Sequence, residues 1–324
     1  MQEKRSWVFL VCTVIGMVVF AGTLCWGAGD FPSKPIELIV PYPAGGSADV
    51  TARPLANGAE KELGKPIAVI NKDGGGGTVG TAQVANAKND GYTLTVLPPA
   101  IFNAYYMRNI PFVPIEAFTP IMVYGGWSFG LVIKSDSPWK TLEDFIKYAK
   151  ENPGKVKYSA PGTGTSPHLA MAELGLKAGV EWKHVPYKGD PPSIAALLGG
   201  HVTAASGSSA FIPHVKAGTL RLLVTYGDKR MAVFPNIRTL KECGYDISYP
   251  SYVGIAGPKG LPEPIVTALE KALKKGMEDE IFIKTMDRLS MPITFLGSAD
   301  YKLYLQKVNE GAAKLIPALG LGKK

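Results

Sequence analysis

The fold of this chain is decided by one stretch near its start, Ile36-Glu-Leu-Ile-Val-Pro-Tyr-Pro-Ala-Gly-Gly-Ser-Ala-Asp49. Its first five residues form an apolar run that predicts a strand ending at Pro41. A glycine-rich turn then opens a helical pattern that continues to Leu63. The same order recurs downstream, with strands at 67–70 and 92–97, a glycine run at 74–77 and a helix at about 78–87. Strands that alternate with helices through short turns are typical of parallel α/β sheets.

A second α/β series begins near residue 130. It is predicted from strands at 131–133, 156–159, 202–205 and 220–226, and from helices at 141–152, from Ser166 onward and at 193–198. The chain then continues with a strand at 253–256, a helix at 262–276, a brief strand at 293–295 and a last helix capped by Ser298. The fold class is therefore α/β in two halves, and these patterns leave open which half contains the final segment.

The amino-terminal segment has the pattern of a secretory signal peptide. Two basic residues precede an uncharged apolar run over 7–26, and small residues follow that run. This order predicts residues 1–29 as a signal peptide that is cleaved after Ala28 or Gly29. An uncleaved anchor stays open as the alternative, because the run reaches the ~20 residues that span a bilayer.

Cysteine content and charge exclude several other classes of protein. Cys12 and Cys25 lie in the predicted signal peptide, so the mature chain would keep only Cys243 and would form no internal disulfide. With 46% hydrophobic residues, the mature chain can bury a core and is long enough for two domains. The 35 Lys and Arg exceed the 27 Asp and Glu, for a net charge of +8. These basic residues form no cluster of the kind expected for nucleic-acid binding.

Three glycine-rich turns, at 41–49, 71–78 and 160–168, each lie between a strand and a helix. Glycine lets the backbone approach a ligand closely, and the helix that follows presents unpaired N–H groups to an anion. Four or five hydrogen bonds of about 1.5–3 kcal/mol each approach the ~8 kcal/mol of micromolar binding. The turns therefore predict a site for a small anion without a buried Lys or Arg, although steric need alone also explains glycine at such turns.

Enzyme and cofactor patterns are absent from the sequence. No glycine loop carries a Gly-Lys-Ser/Thr ending, and no G-x-G-x-x-G follows a strand. Ser166 and His168 are two residues apart on a predicted helix, so their side chains point in different directions. No nucleophile elbow of the G-x-S-x-G type is present, and the four histidines lack the spacing of metal ligands. We therefore expect no catalysis, no cofactor and no metal.

Several stretches in order resemble the substrate-binding receptors of tripartite tricarboxylate transporters, the Bug receptors. They are PIELIVPYPAGGSAD at 35–49, VINKDGGGGTVG at 69–80, DGYTL at 90–94, GTGTSPHLA at 162–170, PYKG at 186–189, ALLGG at 196–200, GTLR at 218–221 and YVGIAGP at 252–258. The resemblance implies a type II periplasmic binding protein, in which crossing strands join two α/β domains around a ligand cleft. It assigns residues 30–127 and 253–324 to the first domain and 128–252 to the second.

The resemblance also implies the function and the site. A monomer in the periplasm would capture a small organic carboxylate for the large and small membrane subunits of a transporter, with no nucleic acid involved. Backbone amides and ordered water would hold the carboxylate between two jaws. The residues implied are Tyr42, Ala44, Gly45, Gly46 and Asp49 on one jaw, Thr163, Gly164, Thr165, Ser166 and His168 on the other, and Pro98, Pro99 and the loop 206–209 with Ser206 along the cleft.

Some features leave alternatives open. Ser47 and Ser166 are equally explained as helix N-caps. Pro54 departs from the family pattern and predicts a kink in the first helix. Asp190 replaces a common glycine, so it either pairs with Lys188 or acts on the far end of the ligand. Ser206 stands where an acidic residue is frequent. The rival functions are a sensor subunit with the same ligand and an exported α/β hydrolase or transferase.

Overall fold

The computed structural model of the protein describes residues 31–323, so the predicted signal peptide lies outside the described residues. In chain order the strands are β1 (Ile36–Val40), β2 (Ile67–Asn71), β3 (Thr93–Leu97), β4 (Phe118–Trp127), β5 (Phe129–Lys134), β6 (Lys157–Ala160), β7 (Lys183–Pro186), β8 (Ala204–Ser208), β9 (Leu220–Thr225), β10 (Ser251–Pro258) and β11 (Ile293–Leu296). The helices are α1 (Ser47–Leu63), α2 (Thr78–Ala85), α3 (Ala100–Met107), α4 (Pro114–Ala117), α5 (Leu142–Glu151), α6 (Ser166–Ala178), α7 (Asp190–Leu198), α8 (Ile212–Lys216), α9 (Glu263–Gly276), α10 (Glu280–Arg288) and α11 (Ser298–Ala318). Short 3₁₀ turns lie at Gly75–Gly77 and Ser209–Phe211.

The first sheet has six strands in the order β11-β4-β10-β3-β1-β2. Strands β2 and β3 pair with β1 in parallel, as the strand–turn–helix pattern predicts. Strand β10 runs antiparallel to both β3 and β4, and β11 runs antiparallel to β4 at the edge. The predicted parallel pairing therefore holds for β1, β2 and β3, whereas the returning strand β10 and the edge strand β11 run against the other four strands.

The second sheet has five strands in the order β7-β6-β8-β5-β9. Strand β6 pairs with β7 and β8 in parallel, whereas β5 is antiparallel to β8 and β9. The chain passes from the first sheet to the second at Ser128 and returns over residues 226–250. Two α/β halves joined by crossing strands are the predicted fold class, which is thereby confirmed. Residues 32–324 make up one compact unit, and the exact domain limits stay a prediction.

Each sheet carries its own hydrophobic core. In the first half, Phe102 and Tyr301 are fully buried among the residues that cover the sheet. In the second half, helix α5 buries Phe145 and Ala149 against the sheet, on the face that its spacing predicts. Thr141 and Asp144 begin this helix with a reciprocal capping box, in which each backbone N–H donates to the other side chain at 3.1 Å.

The structure corrects three local predictions. Ser47, Ser166 and Ser298 are the first helical residues rather than N-caps, and the capping positions fall one residue earlier. Helix α1 includes Pro54, and the kink predicted at this residue stays a prediction. Helix α7 begins three residues before its predicted start, because prolines are tolerated in a first turn. Strand β8 includes Ser206, which was predicted to lie in a loop, and its five residues are all buried.

Candidate ligand-binding site

The two sheets enclose a cleft at the start of helices α1 and α6. The cleft contains about 500 Å³ of empty space, including its open mouth. It lies where the first and third glycine-rich turns meet, which is the carboxyl end of parallel strands and the usual place for ligands in α/β sheets. Its lining consists of Tyr42, Pro43, Gly46, Ser47, Ala48, Pro98, Pro99, Ala100, Trp127, Phe129, Pro161, Thr165, Ser166, Pro167, Asp190, Ser208 and Ser251.

The first jaw is the turn that leads into α1. Gly45 has a φ of +79°, and its N–H donates to the Asp49 carboxylate at 2.9 Å. Asp49 in turn accepts from Arg53 at 2.7 Å and from the amide of Asn71 at 3.0 Å. Asp49 therefore holds the turn in shape from behind. Among the described residues, the backbone N–H groups at the first two positions of α1 have no protein acceptor.

The second jaw is the turn that leads into α6. The Gly164 N–H donates to Nδ1 of His168 at 3.2 Å, and the Thr165 hydroxyl donates to the Gly162 carbonyl at 2.8 Å. Burial lowers the pKa of His168 to about 4, so its imidazole is neutral at pH 7 and Nδ1 can accept. The N–H groups of Ser166 and His168 have no acceptor in the part of the chain that the structure describes. The start of α6 therefore also carries backbone donors without an acceptor, and Ser166 lines the same cleft as Ser47 and Ala48.

The two halves touch across the cleft, so this is a closed form. The hydroxyls of Ser47 and Ser208 lie 2.7 Å apart, and the Asn103 side chain donates to the Gly164 carbonyl at 2.8 Å. The glycine run after β2 is part of this contact. A Cβ at Gly76 would lie only 2.8 Å from the Thr163 carbonyl oxygen, which explains why a side chain is absent there.

The predicted site residues separate into two groups. Tyr42, Gly46, Pro98, Pro99, Thr165 and Ser166 line the cleft, whereas Ala44, Gly45, Asp49, Thr163, Gly164, His168 and Ser206 lie outside its lining. Ala44 and Gly45 are exposed to solvent. Ser206 is fully buried, and its hydroxyl donates to the Pro167 carbonyl and pairs with Tyr226, each at 2.8 Å. The ligand contacts themselves stay a prediction.

Sequence reasoning missed the walls of the cleft. Trp127 and Phe129 flank the crossing at Ser128, and Ser251 begins the returning strand. Their positions depend on long-range pairing between the sheets, which no local pattern shows. Ser208 was included in a predicted lining loop, and Asp190 was noted as a departure from the family pattern.

Asp190 is the one charged side chain in the cleft lining among the described residues. Its two carboxylate oxygens accept from the backbone N–H of Ser208 at 2.9 Å and from the Ser208 hydroxyl at 2.6 Å. Among residues 31–323, the partner of the Asp190 carboxylate is Ser208 and no ion pair joins it to Lys188, contrary to one of the alternatives. Burial raises the pKa of Asp190. Burial, and then the charge of Asp190, also raises the pKa of the Tyr42 hydroxyl.

The arrangement favours binding over covalent chemistry. Nδ1 of His168 is occupied by the Gly164 amide, so it is not available as the base for the hydroxyl of Ser166 on the same helix turn. Within residues 31–323, no group of three or more His, Cys, Asp or Glu side chains is placed to hold a metal ion.

Comparisons with known proteins agree with this geometry. Residues 51–321 match the family model of the tripartite tricarboxylate transporter family receptor, TctC. The UPF0065 protein in the gbd 5' region of Cupriavidus necator is 40% identical over 296 residues, which are 91% of this chain and 90% of that protein. The structure of the periplasmic binding protein BugD has a TM-score of 0.86 at 28% identity and covers 91% of this chain and 100% of its own.

A further solved structure, that of R. palustris Rpa4515 with adipate, has a TM-score of 0.85 at 25% identity and covers 90% of this chain and 99% of its own. The family model spans most of this chain, and the Cupriavidus relative is similar over nearly its whole length. This chain therefore belongs to the tripartite tricarboxylate transporter receptor family, which consists of periplasmic solute-binding proteins.

Proposed function

We propose that this chain captures a small organic carboxylate in the periplasm and delivers it to the large and small membrane subunits of a tripartite transporter. It does so as a monomeric receptor exported by its signal peptide, and it performs no catalysis. The observation that carries the proposal is the pair of helix starts that face one cleft from opposite halves, each with N–H groups that lack a protein acceptor among the described residues. Rpa4515, a relative of the same fold, was solved with adipate, which supports a carboxylate ligand.

The donors in this proposal are specific backbone groups. The amides of Gly45 and Gly164, which the sequence favours, already donate to side chains of the protein. The ligand carboxylate is therefore assigned to the N–H groups of Ser47 and Ala48 on one side and of Ser166 on the other. Each such bond to a charged group contributes about 1.5–3 kcal/mol, and each helix terminus adds about 0.3–1 kcal/mol for an anion.

Delivery requires that the two halves separate and close around the ligand. We keep the predicted halves, residues 30–127 with 253–324 and residues 128–252. The crossing at Ser128 supports the first limit, whereas the returning strand β10 already begins at Ser251, two residues before the second limit. Here the Ser128 hydroxyl donates to the Ser290 carbonyl at 2.7 Å, and its own carbonyl accepts from Ser209 at 3.3 Å. In the open form, the N–H groups of both helix starts would bind water; in the closed form, the carboxylate replaces that water.

The first experiment measures binding of a carboxylate library by isothermal titration calorimetry with the purified mature protein. We expect micromolar dissociation constants for short mono- or dicarboxylates and no binding of their neutral amides. Binding of neutral sugars or of cations alone would refute a carboxylate receptor.

The variant Ala48→Pro tests the backbone donors directly. Proline removes one N–H but is tolerated in the first turn of a helix, so the loss of one charged hydrogen bond should weaken binding about 10- to 150-fold. The chain offers a matched control, because α11 begins with the same Gly-Ser-Ala-Asp sequence at residues 297–300 and its Ala299 is exposed. Ala299→Pro should leave the affinity unchanged. Equal affinities of both variants, with both folded by circular dichroism, would remove α1 from the site.

A further inference from the structure

The cleft combines two helix starts that favour an anion with one carboxylate that opposes it. Asp190 is half-buried and lines the cleft. No Lys, Arg or His is present among the lining residues that the structure describes. The charged form of a carboxylate enclosed by ligand is strongly disfavoured unless a cation accompanies it, which is also why burial raises the pKa of Asp190. The ligand itself can supply that partner.

The wall next to Asp190 suits a positively charged group. The aromatic side chains of Tyr42, Trp127 and Phe129 line the same cleft, and aromatic faces attract ammonium groups. Each Asp190 oxygen accepts one hydrogen bond from Ser208, and a carboxylate has about four acceptor positions in all. Asp190 can therefore accept further bonds from a ligand.

A second polar side chain, Ser251, also lies in the lining of the cleft. Ser251 is 5% exposed. Its hydroxyl lies close enough to the Tyr304 hydroxyl to offset part of the rise that burial causes in the pKa of that tyrosine, but none of the described residues gives it a hydrogen bond of good geometry. A buried hydroxyl without a partner is rare in proteins unless a ligand or water satisfies it. It can accept a bond from an N–H group or donate one to an oxygen.

Asp190 and the start of α1 lie close together. The Ser208 hydroxyl contacts Asp190 at 2.6 Å and the Ser47 hydroxyl at 2.7 Å, so only this serine separates Asp190 from the start of α1. A ligand that bridges both would carry its positive group near its carboxylate.

We propose that the ligand is a zwitterion, an organic acid with a protonated amine near its carboxylate, and that Asp190 determines this specificity by binding the amine. This inference rests on the proposed function as a carboxylate receptor. Asp190 and the aromatic wall bind the ammonium group, while the starts of α1 and α6 bind the carboxylate.

The test compares matched acids that differ only by the amine: succinate with aspartate, glutarate with glutamate, adipate with 2-aminoadipate, and butyrate with 4-aminobutyrate. Dissociation constants are measured by calorimetry for the native protein and for Asp190→Asn, which keeps an acceptor for Ser208. We expect at least one amine to bind 10-fold or more tightly than its partner in the native protein, and the preference to fall below about 3-fold in the variant. Asp136→Asn, at a side chain that is 76% exposed, is the charge-matched control and should keep the preference.

The outcomes separate the two proposals. If acids bind but no amine is preferred, or if the preference survives in Asp190→Asn, the zwitterion inference is wrong and Asp190 serves only to fix Ser208. If neither the acids nor their amino derivatives bind, the proposed function itself fails. The comparison in the native protein decides the inference even where the Asp190 variant does not fold.

Discussion

Closure of the cleft can be perturbed without touching its lining, at Gly76. This residue has a φ of +64°, and an added Cβ would lie 2.8 Å from the carbonyl oxygen of Thr163 on the opposite jaw. A distance below 3.0 Å is one that real Cβ atoms essentially never show, and the neighbour is backbone that cannot rotate away. Gly76→Ala therefore opposes the closed form, whereas an open form removes the clash.

The magnitude follows from two separate costs. A left-handed conformation costs an alanine about 1–2 kcal/mol, and this cost is the same whether the cleft is open or closed. Overpacking at a tight contact costs typically about 1–3 kcal/mol, and here it applies only to the closed form. Under the proposed closure around the ligand, only the second cost weakens binding, and the expected loss of affinity for a carboxylate is about 5- to 150-fold.

A matched control separates these costs. Gly64, which ends α1, has a φ of +65°, and a Cβ added there would have nothing within 4 Å, so Gly64→Ala carries the same backbone strain without the clash. Urea unfolding should show similar losses of stability for both variants, while calorimetry should show weaker binding only for Gly76→Ala. Equal affinities in the two variants would refute the idea that this contact belongs to the ligand-bound closed form.

Two further predictions concern stability. Gly58→Ala on α1 should lower the free energy of unfolding by about 1–3 kcal/mol in urea titrations and leave affinity unchanged, because its Cβ would lie 2.8 Å from the Gly276 backbone of α9; unchanged stability would show that the helices move apart at no cost. Acid should also destabilise the protein. Burial lowers the pKa of His168 to about 4, and burial with the charge of His168 lowers the pKa of His184 to about 3, so the unfolded chain takes up protons first. The free energy of unfolding should therefore fall as the pH drops from 6.5 toward 4, by up to about 1.4 kcal/mol per pH unit for each histidine. His168→Gln should make the melting temperature less dependent on pH over this range. The same pH dependence in the variant and the native protein would contradict the lowered pKa of His168.

Local signals account for what the sequence predicted correctly. The run from Ile36 to Val40 is apolar, stops at a proline and precedes a glycine turn, so the strand and the helix after it have sharp limits in the chain itself. Strand β4 lacks such signals, since Pro120, Gly125 and Gly126 lie within it, and it forms only because β10 and β11 pair with it. Strands β10 and β11 were predicted at 253–256 and 293–295, but their antiparallel direction was not, because it depends on pairing with β3 and β4, which lie far away in the chain.

The candidate site shows the same division. The glycine turns identified which helix starts face the cleft, but they did not identify which amides remain unpaired. Which amides remain unpaired depends on the positions of the Asp49 and His168 side chains. These side chains accept the hydrogen bonds from the backbone N–H groups of Gly45 and Gly164, which the sequence had indicated as ligand donors. The aromatic wall comes from the crossing between the sheets, whose position follows from pairing between strands that lie far apart in the chain.

One sequence that occurs twice shows what turns a helix start into a binding site. Gly-Ser-Ala-Asp begins both α1 and α11, so capping propensity and helix dipole are alike at the two places. At α11 the protein supplies its own anion, because the Ser298 N–H donates to the Glu270 carboxylate at 2.8 Å and the Ser298 hydroxyl donates to the Pro120 carbonyl at 2.7 Å. At α1 no carboxylate of the described residues occupies the equivalent position, and the cleft opens there instead. The carboxylate of the ligand would do at α1 what Glu270 does at α11, and the difference between a structural cap and a receptor site lies in which molecule provides it.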